Sequence, residues 1–303
     1  MIEEVSRIRM KERKSMAYYL GMMQLVLAIM ALFLTWQAWR WYRNMRLLKR
    51  IEEEPFPKRW REWLEKTPHY PLLPEAMQRQ VEKRLRYFME SKSFEGIQTE
   101  LTDEMRVVIS FYACLTVLGK PEECYGILRS VLVYPNVVVA PRKEQNGWIV
   151  REEEALLEGE SAGDTVVIAW HEARRDAYHT WPHNVIIHEF AHVLDFEDGS
   201  ADGVPPLLLR NYREWIDVVS RRYEELRKRA EANRDWGEYR LIGDYAATNE
   251  AEFFAVTSEL FFQRAETLKK HFPDLYHEYR EFYGLDTAQL FGDLDRRVGG
   301  HRH

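Results

Sequence analysis

The chain has 303 residues, 46% apolar and 13% aromatic, enough for one large domain or two small ones with a proper core. Its net charge of −6 is uneven: residues 1–50 hold ten Lys/Arg and three Glu, or +7, and the rest carries −13, which disfavours a nucleic-acid binder and points the basic arm at a membrane surface. With Cys114 and Cys124 as its only cysteines the chain has no disulfide scaffold, and a reducing compartment fits.

The arm (1–15) leads into residues 16–38, a run of 23 without a charge whose clearly polar members are Gln24, Thr35 and Gln37. As a helix this run spans about 35 Å, against a hydrocarbon core of about 30 Å. Tyr18 and Tyr19 flank one end and Trp36, Trp39, Trp41 and Tyr42 the other, in the manner of interfacial aromatic belts. A cleaved signal peptide fits less well, because the run is long and no small-x-small pattern follows it. A buried soluble helix fits less well because both flanks are basic. The expectation is one uncleaved transmembrane helix over 16–39, continued by a basic juxtamembrane helix over 40–54. Five Lys/Arg precede the span and five follow it, so the positive-inside rule leaves the orientation open. Cysteine usage points to a single-pass protein of the inner membrane with its body in the cytoplasm.

In the body, Pro55, Pro57, Pro68, Pro71 and Pro74 punctuate short helices and turns. Residues 74–92 read as a helix through Met77, Val81, Leu85 and Phe88. Thr102-Asp103-Glu104 starts a helix over 105–118, with Val108, Ile109, Cys114, Leu115 and Leu118 inside, that stops at Gly119. Residues 131–134 and 137–139 are β-branched runs split by Pro135-Asn136; 148–150 is a short candidate and 164–170 the clearest strand. A loop over 195–206 precedes a long amphipathic helix whose apolar face holds Leu208, Tyr212, Trp215, Ile216, Val219, Tyr223 and Leu226. Another helix starts near Asn249 and runs through Phe253, Phe254, Leu260 and Phe261; helices near 273–283 and 287–298 close the fold. The tail, 299–303, reads as frayed, with His301 and His303 solvated.

The informative stretch is His188-Glu189-Phe190-Ala191-His192, an H-E-x-x-H match. A spacing of four stacks the two imidazoles on one helix face, where they can grip one zinc ion at about 2.0–2.1 Å. Glu189 follows the first histidine and can serve as general base towards a water on the metal. Two histidines and a glutamate also occur on helices by chance. Here Val185, Ile186, Ile187, Ala191, Val193 and Leu194 make the helix apolar, and buried His and Glu need partners that a cation supplies.

A catalytic zinc takes three protein ligands and leaves a place for water. Spacing leaves the third one open. Asp198 sits where the long metzincin pattern has its third ligand, but Asp195 then occupies a turn that normally holds Gly. The blander roles for Asp195 are an acceptor for an imidazole N–H or a cap. The rival is Glu252, early in the apolar helix after Asn249, unless Asn249-x-x-Glu252 is simply a capping box; Glu250 and Glu259 are further carboxylates.

Several stretches, including Pro55-Phe56-Pro57, Thr102-Asp103-Glu104-Met105-Arg106, Val131-Leu132-Val133-Tyr134-Pro135, residues 183–195 and Asn249-Glu250-Ala251-Glu252-Phe253-Phe254-Ala255, resemble the Mlc titration factor A family of zinc peptidases, with the catalytic core of anthrax lethal factor a more distant likeness. The resemblance covers roughly residues 55–295. It implies an α+β fold: a mainly helical, zincin-like metallopeptidase domain over 55–298 with a small mixed sheet. It also implies a gluzincin-like site with His188, His192 and Glu252 on one Zn2+, Glu189 as base and Tyr245, seven positions before the third ligand, lining the site. Aminopeptidase-type activity and binding of a transcriptional repressor are further implications. The N-terminal anchor departs from the family, which leaves the repressor partner open.

The expected chemistry is hydrolysis of a peptide or protein substrate. Tyr245 would donate a hydrogen bond to the developing oxyanion, unless it is a core tyrosine. The strand near 166–170 could lay out an extended peptide along its edge. His171, His179 and His183 read as solvated or capping residues. The rival class is a membrane-tethered regulatory binding protein with a structural or little-used zinc site.

Overall fold

The computed structural model describes residues 2–120, 125–136, 164–206, 212–232 and 236–299, with side chains from Tyr18 onward except at Asp198 and 296–299. The expected strands at 137–139 and 148–150, together with Cys124, Leu208 and the tail beyond Gly299, lie outside the described residues. The chain divides into two compact units, Met1–Pro55 and Phe56–His303.

The first unit is a single helix, α1 (Ile2–Glu53), so the arm, the apolar run and the basic segment are one continuous element. No proline interrupts it before Pro55, which explains the continuity. It is the one helix among the described residues long and apolar enough to cross a membrane, and none of its apolar stretch is buried in the protein. Leu25, Ile29, Leu32 and Phe33 are exposed, and so are Trp36, Trp39, Trp41 and Tyr42. Past the apolar stretch, arginines stack one turn apart on aromatics: Arg40 over Trp36 at 5.6 Å, Arg43 over Trp39 at 5.0 Å and Arg46 over Tyr42 at 5.9 Å. Each pair is spaced i, i+4, which brings side chains together on a helix surface.

The second unit begins with α2 (Lys58–Glu65), α3 (Glu75–Ser91), β1 (Ser93–Gly96), α4 (Asp103–Thr116) and β2 (Ser130–Tyr134). It continues with β3 (Thr165–Ala169), α5 (Trp170–Tyr178), α6 (Val185–Asp195) and α7 (Tyr212–Glu231). After short 3-10 turns come α8 (Glu250–Gln263), α9 (Ala265–His271), α10 (Pro273–Tyr283) and α11 (Thr287–Gly299). The α+β, mainly helical architecture is the expected one. The sheet has the order β1-β2-β3, with Phe94 beside Val131 and Val131 beside Val166. Its described pairings are all parallel, where a mixed sheet was expected. The connection through α4 between β1 and β2 is the long crossover that a parallel pair needs.

The core gathers on α4, whose residues from Met105 to Thr116 are buried apart from Arg106. Thr102 caps this helix by accepting a hydrogen bond from Met105 N at 3.3 Å, and Cys114 is a buried free thiol, as its apolar surroundings suggested. On α7, Trp215, Val219, Tyr223 and Leu226 are buried as the periodicity implies, whereas Tyr212, the first residue of the helix, is exposed. Helix α6 packs on α4, β3, α5 and α8. Its Phe190 is fully buried, edge-on to Phe88 (5.8 Å) and Tyr125 (5.2 Å). A ring so placed is worth on the order of 3–5 kcal/mol against truncation to Ala, so α6 is fixed firmly from behind. Its histidine face points the other way.

Candidate metal centre

Helix α6 starts cleanly. Asn184, extended and fully buried, accepts from Ile186 N (3.1 Å) and Ile187 N (3.2 Å) through Oδ1. These bonds satisfy two of the donors a helix N-terminus leaves over. One turn on, His188 and His192 meet edge-to-face at 4.8 Å between ring centroids, with planes 79° apart. Their Nε2 atoms face one another at 3.2 Å.

Helix α8 crosses this face. Asn249 caps it by accepting from Glu252 N at 2.8 Å. That is half of the capping box; the Glu252 carboxylate turns to the histidines instead. Its Oε2 lies 3.2 Å from His188 Nε2 and its Oε1 3.6 Å from His192 Nε2. His188, His192 and Glu252 thus form a group that could hold a metal ion, with one donor atom from each within 4.8 Å of the others. Donors around a tetrahedral ion at the usual zinc distances lie roughly 3.3 Å apart, so separations of 3.2, 3.2 and 3.6 Å fit three corners of that figure. A further observation agrees. Glu252 Oε2 is shut off from solvent and makes no hydrogen bond of acceptable geometry among the described residues, despite its closeness to His188. Close approach without hydrogen-bond alignment is what donors aimed at a shared cation have.

The metzincin alternative for the third ligand loses its turn. Asp195 is not a turn residue of metzincin type. It has helical φ/ψ of −63°, −41°, and the chain reverses only at Gly199, φ +95°. The side chain of Asp198 lies outside the described residues. Asp195 Oδ2 accepts from Gly203 N at 2.9 Å. The ring partner is Glu259, whose Oε1 accepts from His188 Nδ1 at 2.7 Å. Sequence reasoning carried Glu259 only as a spare ligand. A signal was available: it stands seven residues after Glu252, two helical turns, in an otherwise apolar stretch.

The Asp195 link has a geometric consequence. Gly203 has φ +74°, and a Cβ there would stand 2.5 Å from Glu250 O, so only glycine allows the loop to rest on the start of α8. Trp215 Nε1 donates to Gly203 O at 3.2 Å and fixes the other side of the loop.

Glu189 is buried on α6 beside His188, and Tyr245 is 40% exposed with its ring 6.2 Å from that of His188. The two ligand-bearing helices therefore leave one side of the group open to solvent, at Tyr245 and the partly exposed His192. His179 Nδ1 donates to Arg175 O at 2.7 Å and so caps α5, whereas exposed His183 sits 3.6 Å from Glu259 Oε2. Burial favours a neutral His188, but the carboxylates of Glu252 and Glu259 facing its two nitrogens outweigh it and hold the imidazole well above its ordinary value. Burial likewise works against an ionised Glu252, yet the imidazoles of His188 and His192 beside it hold it below the usual carboxylate range. Glu259 is depressed in the same way, against its burial, by His183 and His188.

A family model described as "glucose-regulated metallo-peptidase M90" matches residues 37–284. An uncharacterised protein of Synechocystis is 34% identical over 271 residues, covering 86% of this chain and 95% of its own length. Proteins called Mlc titration factor A are similar as well. That of Serratia proteamaculans is 32% identical over 202 residues (65% of this chain, 76% of that protein) and that of Cronobacter sakazakii 30% over 230 residues (71% and 83%).

Proposed function

The chain belongs to the glucose-regulated metallo-peptidase M90 family, and we propose that it is a zinc-dependent peptidase and that α1 anchors it in a membrane. The observation that carries the reading is the convergence of His188, His192 and Glu252 from two separate helices. His188 and His192 would hold zinc through Nε2, and Glu252 through its carboxylate. A bound zinc ion supplies Lewis acidity towards a water and the scissile carbonyl. Glu189 takes the proton from the attacking water and passes it to the leaving amine. Tyr245, on the open side, donates a hydrogen bond to the oxyanion. Aminopeptidase-type cleavage is the finer form of the proposal, and a preference for peptides with a free over a blocked N-terminus would distinguish it.

A second reading has its own support: relatives carry the name Mlc titration factor A, so a regulatory protein that binds a transcriptional repressor, with little use of its metal, is the alternative. One experiment separates the two. The full chain, purified in detergent, should contain close to one zinc per molecule, cleave peptides and be stopped by a hydroxamate inhibitor. Zinc that is present but indifferent to hydroxamate would favour the binding protein, and a protein without zinc would sink the peptidase.

The anchor is the second half of the proposal. The support is the unburied apolar stretch of α1 and the arginine–aromatic ladder just beyond it. Aromatic and basic side chains at the end of an apolar helix suit the headgroup layer. The family match starts at residue 37, so most of the apolar run lies outside it. We place the protein in the inner membrane with its body in the cytoplasm. The full chain should float with liposomes through a density gradient at high salt, and recovery in the dense fraction would refute an inserted helix.

A further inference from the structure

We propose that Glu259 is a positioning residue of the metal site: its buried carboxylate fixes the ring and tautomer of His188 so that Nε2 faces the ion. The inference rests on His188 being a ligand, as in the function proposed above.

The argument starts from α8. Glu252 and Glu259, two turns apart on one helix, bracket a single imidazole from both ends. Glu252 Oε2 stands 3.2 Å from Nε2, and Glu259 Oε1 stands 2.7 Å from Nδ1. An ionised carboxylate can only accept, so the short contact puts a proton on Nδ1, and Nε2, which faces His192 and Glu252, is the nitrogen left to meet an ion. The Glu259 carboxylate is itself held. Its other oxygen accepts from Asn184 N at 2.6 Å, at the capped start of the helix that carries His188, and His183 Nδ1 lies 3.6 Å away. The residue is 4% exposed. A single buried group thus ties the beginning of α6, the orientation of a ring on α6 and the face of α8 together. Carboxylates that orient ligating histidines raise metal affinity by about 10- to 100-fold.

The rival view is that Glu259 merely caps α6. Glu259→Gln separates the two. Asn184 N–H and His188 Nδ1–H both donate, and Glu259 offers each an oxygen; a glutamine offers one acceptor and one donor. Either the Asn184 bond fails, or the amide NH2 meets Nδ1 and drives the proton to Nε2, the wrong atom for a ligand.

The test uses the full chain in detergent, with zinc affinity measured by competition against a chromophoric chelator. We expect E259Q to lose about 10- to 100-fold in affinity. E259D, which keeps two acceptors, should recover part of it, and it stands in should E259Q fail to fold. Selective 15N-histidine NMR of the zinc-loaded protein should show His188 bound through Nε2 with a protonated Nδ1, a signature that capping alone would not require. N184A removes the side-chain cap of α6 without touching His188 Nδ1, and it should leave the affinity near wild type. If the wild type binds zinc in a Glu252-dependent way and E259Q binds it equally well, or N184A loses as much as E259Q, the positioning role is overturned while the peptidase reading stands. If the wild type binds no zinc at all, both fall.

Discussion

Glu189→Gln should leave zinc content unchanged and lower the turnover of a saturating peptide by about 10²- to 10⁴-fold, the usual worth of a positioned acid–base group. Glu189 is one residue on from His188, about a quarter-turn round α6, and is buried beside the metal group. Glutamine fills the same volume and keeps polar contacts, so neither the helix nor the three donor atoms should move. What is lost is the capacity to take a proton from water and return it to the amine. The effect should therefore fall on kcat. Metal analysis and peptide hydrolysis on the same preparation make the comparison, and near-normal turnover with full zinc would remove Glu189 from the role of base.

Glu252→Ala should all but empty the site. The variant takes away one of three donors and leaves two Nε2 atoms 3.2 Å apart without the anionic partner. Loss of an oriented outer-sphere partner already costs about 10- to 100-fold in affinity, and loss of a direct donor should exceed that. The fold should survive, because Asn249 caps α8 through the backbone N–H of Glu252, which alanine retains. Chelator competition gives the affinity, and a thermal melt of the unloaded protein gives the control. Unaltered zinc binding would send the search for a third donor back to Asp198.

Much of this was legible in the chain because the signals were local. The H-E-x-x-H spacing, the caps at Thr102 and Asn249 and the apolar faces of α4 and α7 are properties of a few turns of helix, and the structure has them. Glu252 was harder. A short-range pattern offered a capping box, and only the packing of α8 across α6 turns its carboxylate away from the backbone. Glu259 could not be paired with His188 by local rules, since 71 residues separate them. Asp195, which is nearer, attracted that role. The direction of the strands was equally illegible: a period of two fixes which face a residue takes, whereas parallel pairing comes from the crossover helix. In α1, the charge pattern broke the run into arm, span and flank, while the backbone, free of proline, continued through all three.

Gly203 has a bearing on the metal group although it is not among the donors. Asp195 at the end of one ligand helix grips its N–H, and its bare α-carbon leans on Glu250 at the start of the other. The gap between the helices is thus gauged by the thickness of an undecorated peptide strand. One methyl group at that point would act as a shim, and the carboxylate two residues further on would be carried off with the helix it rides.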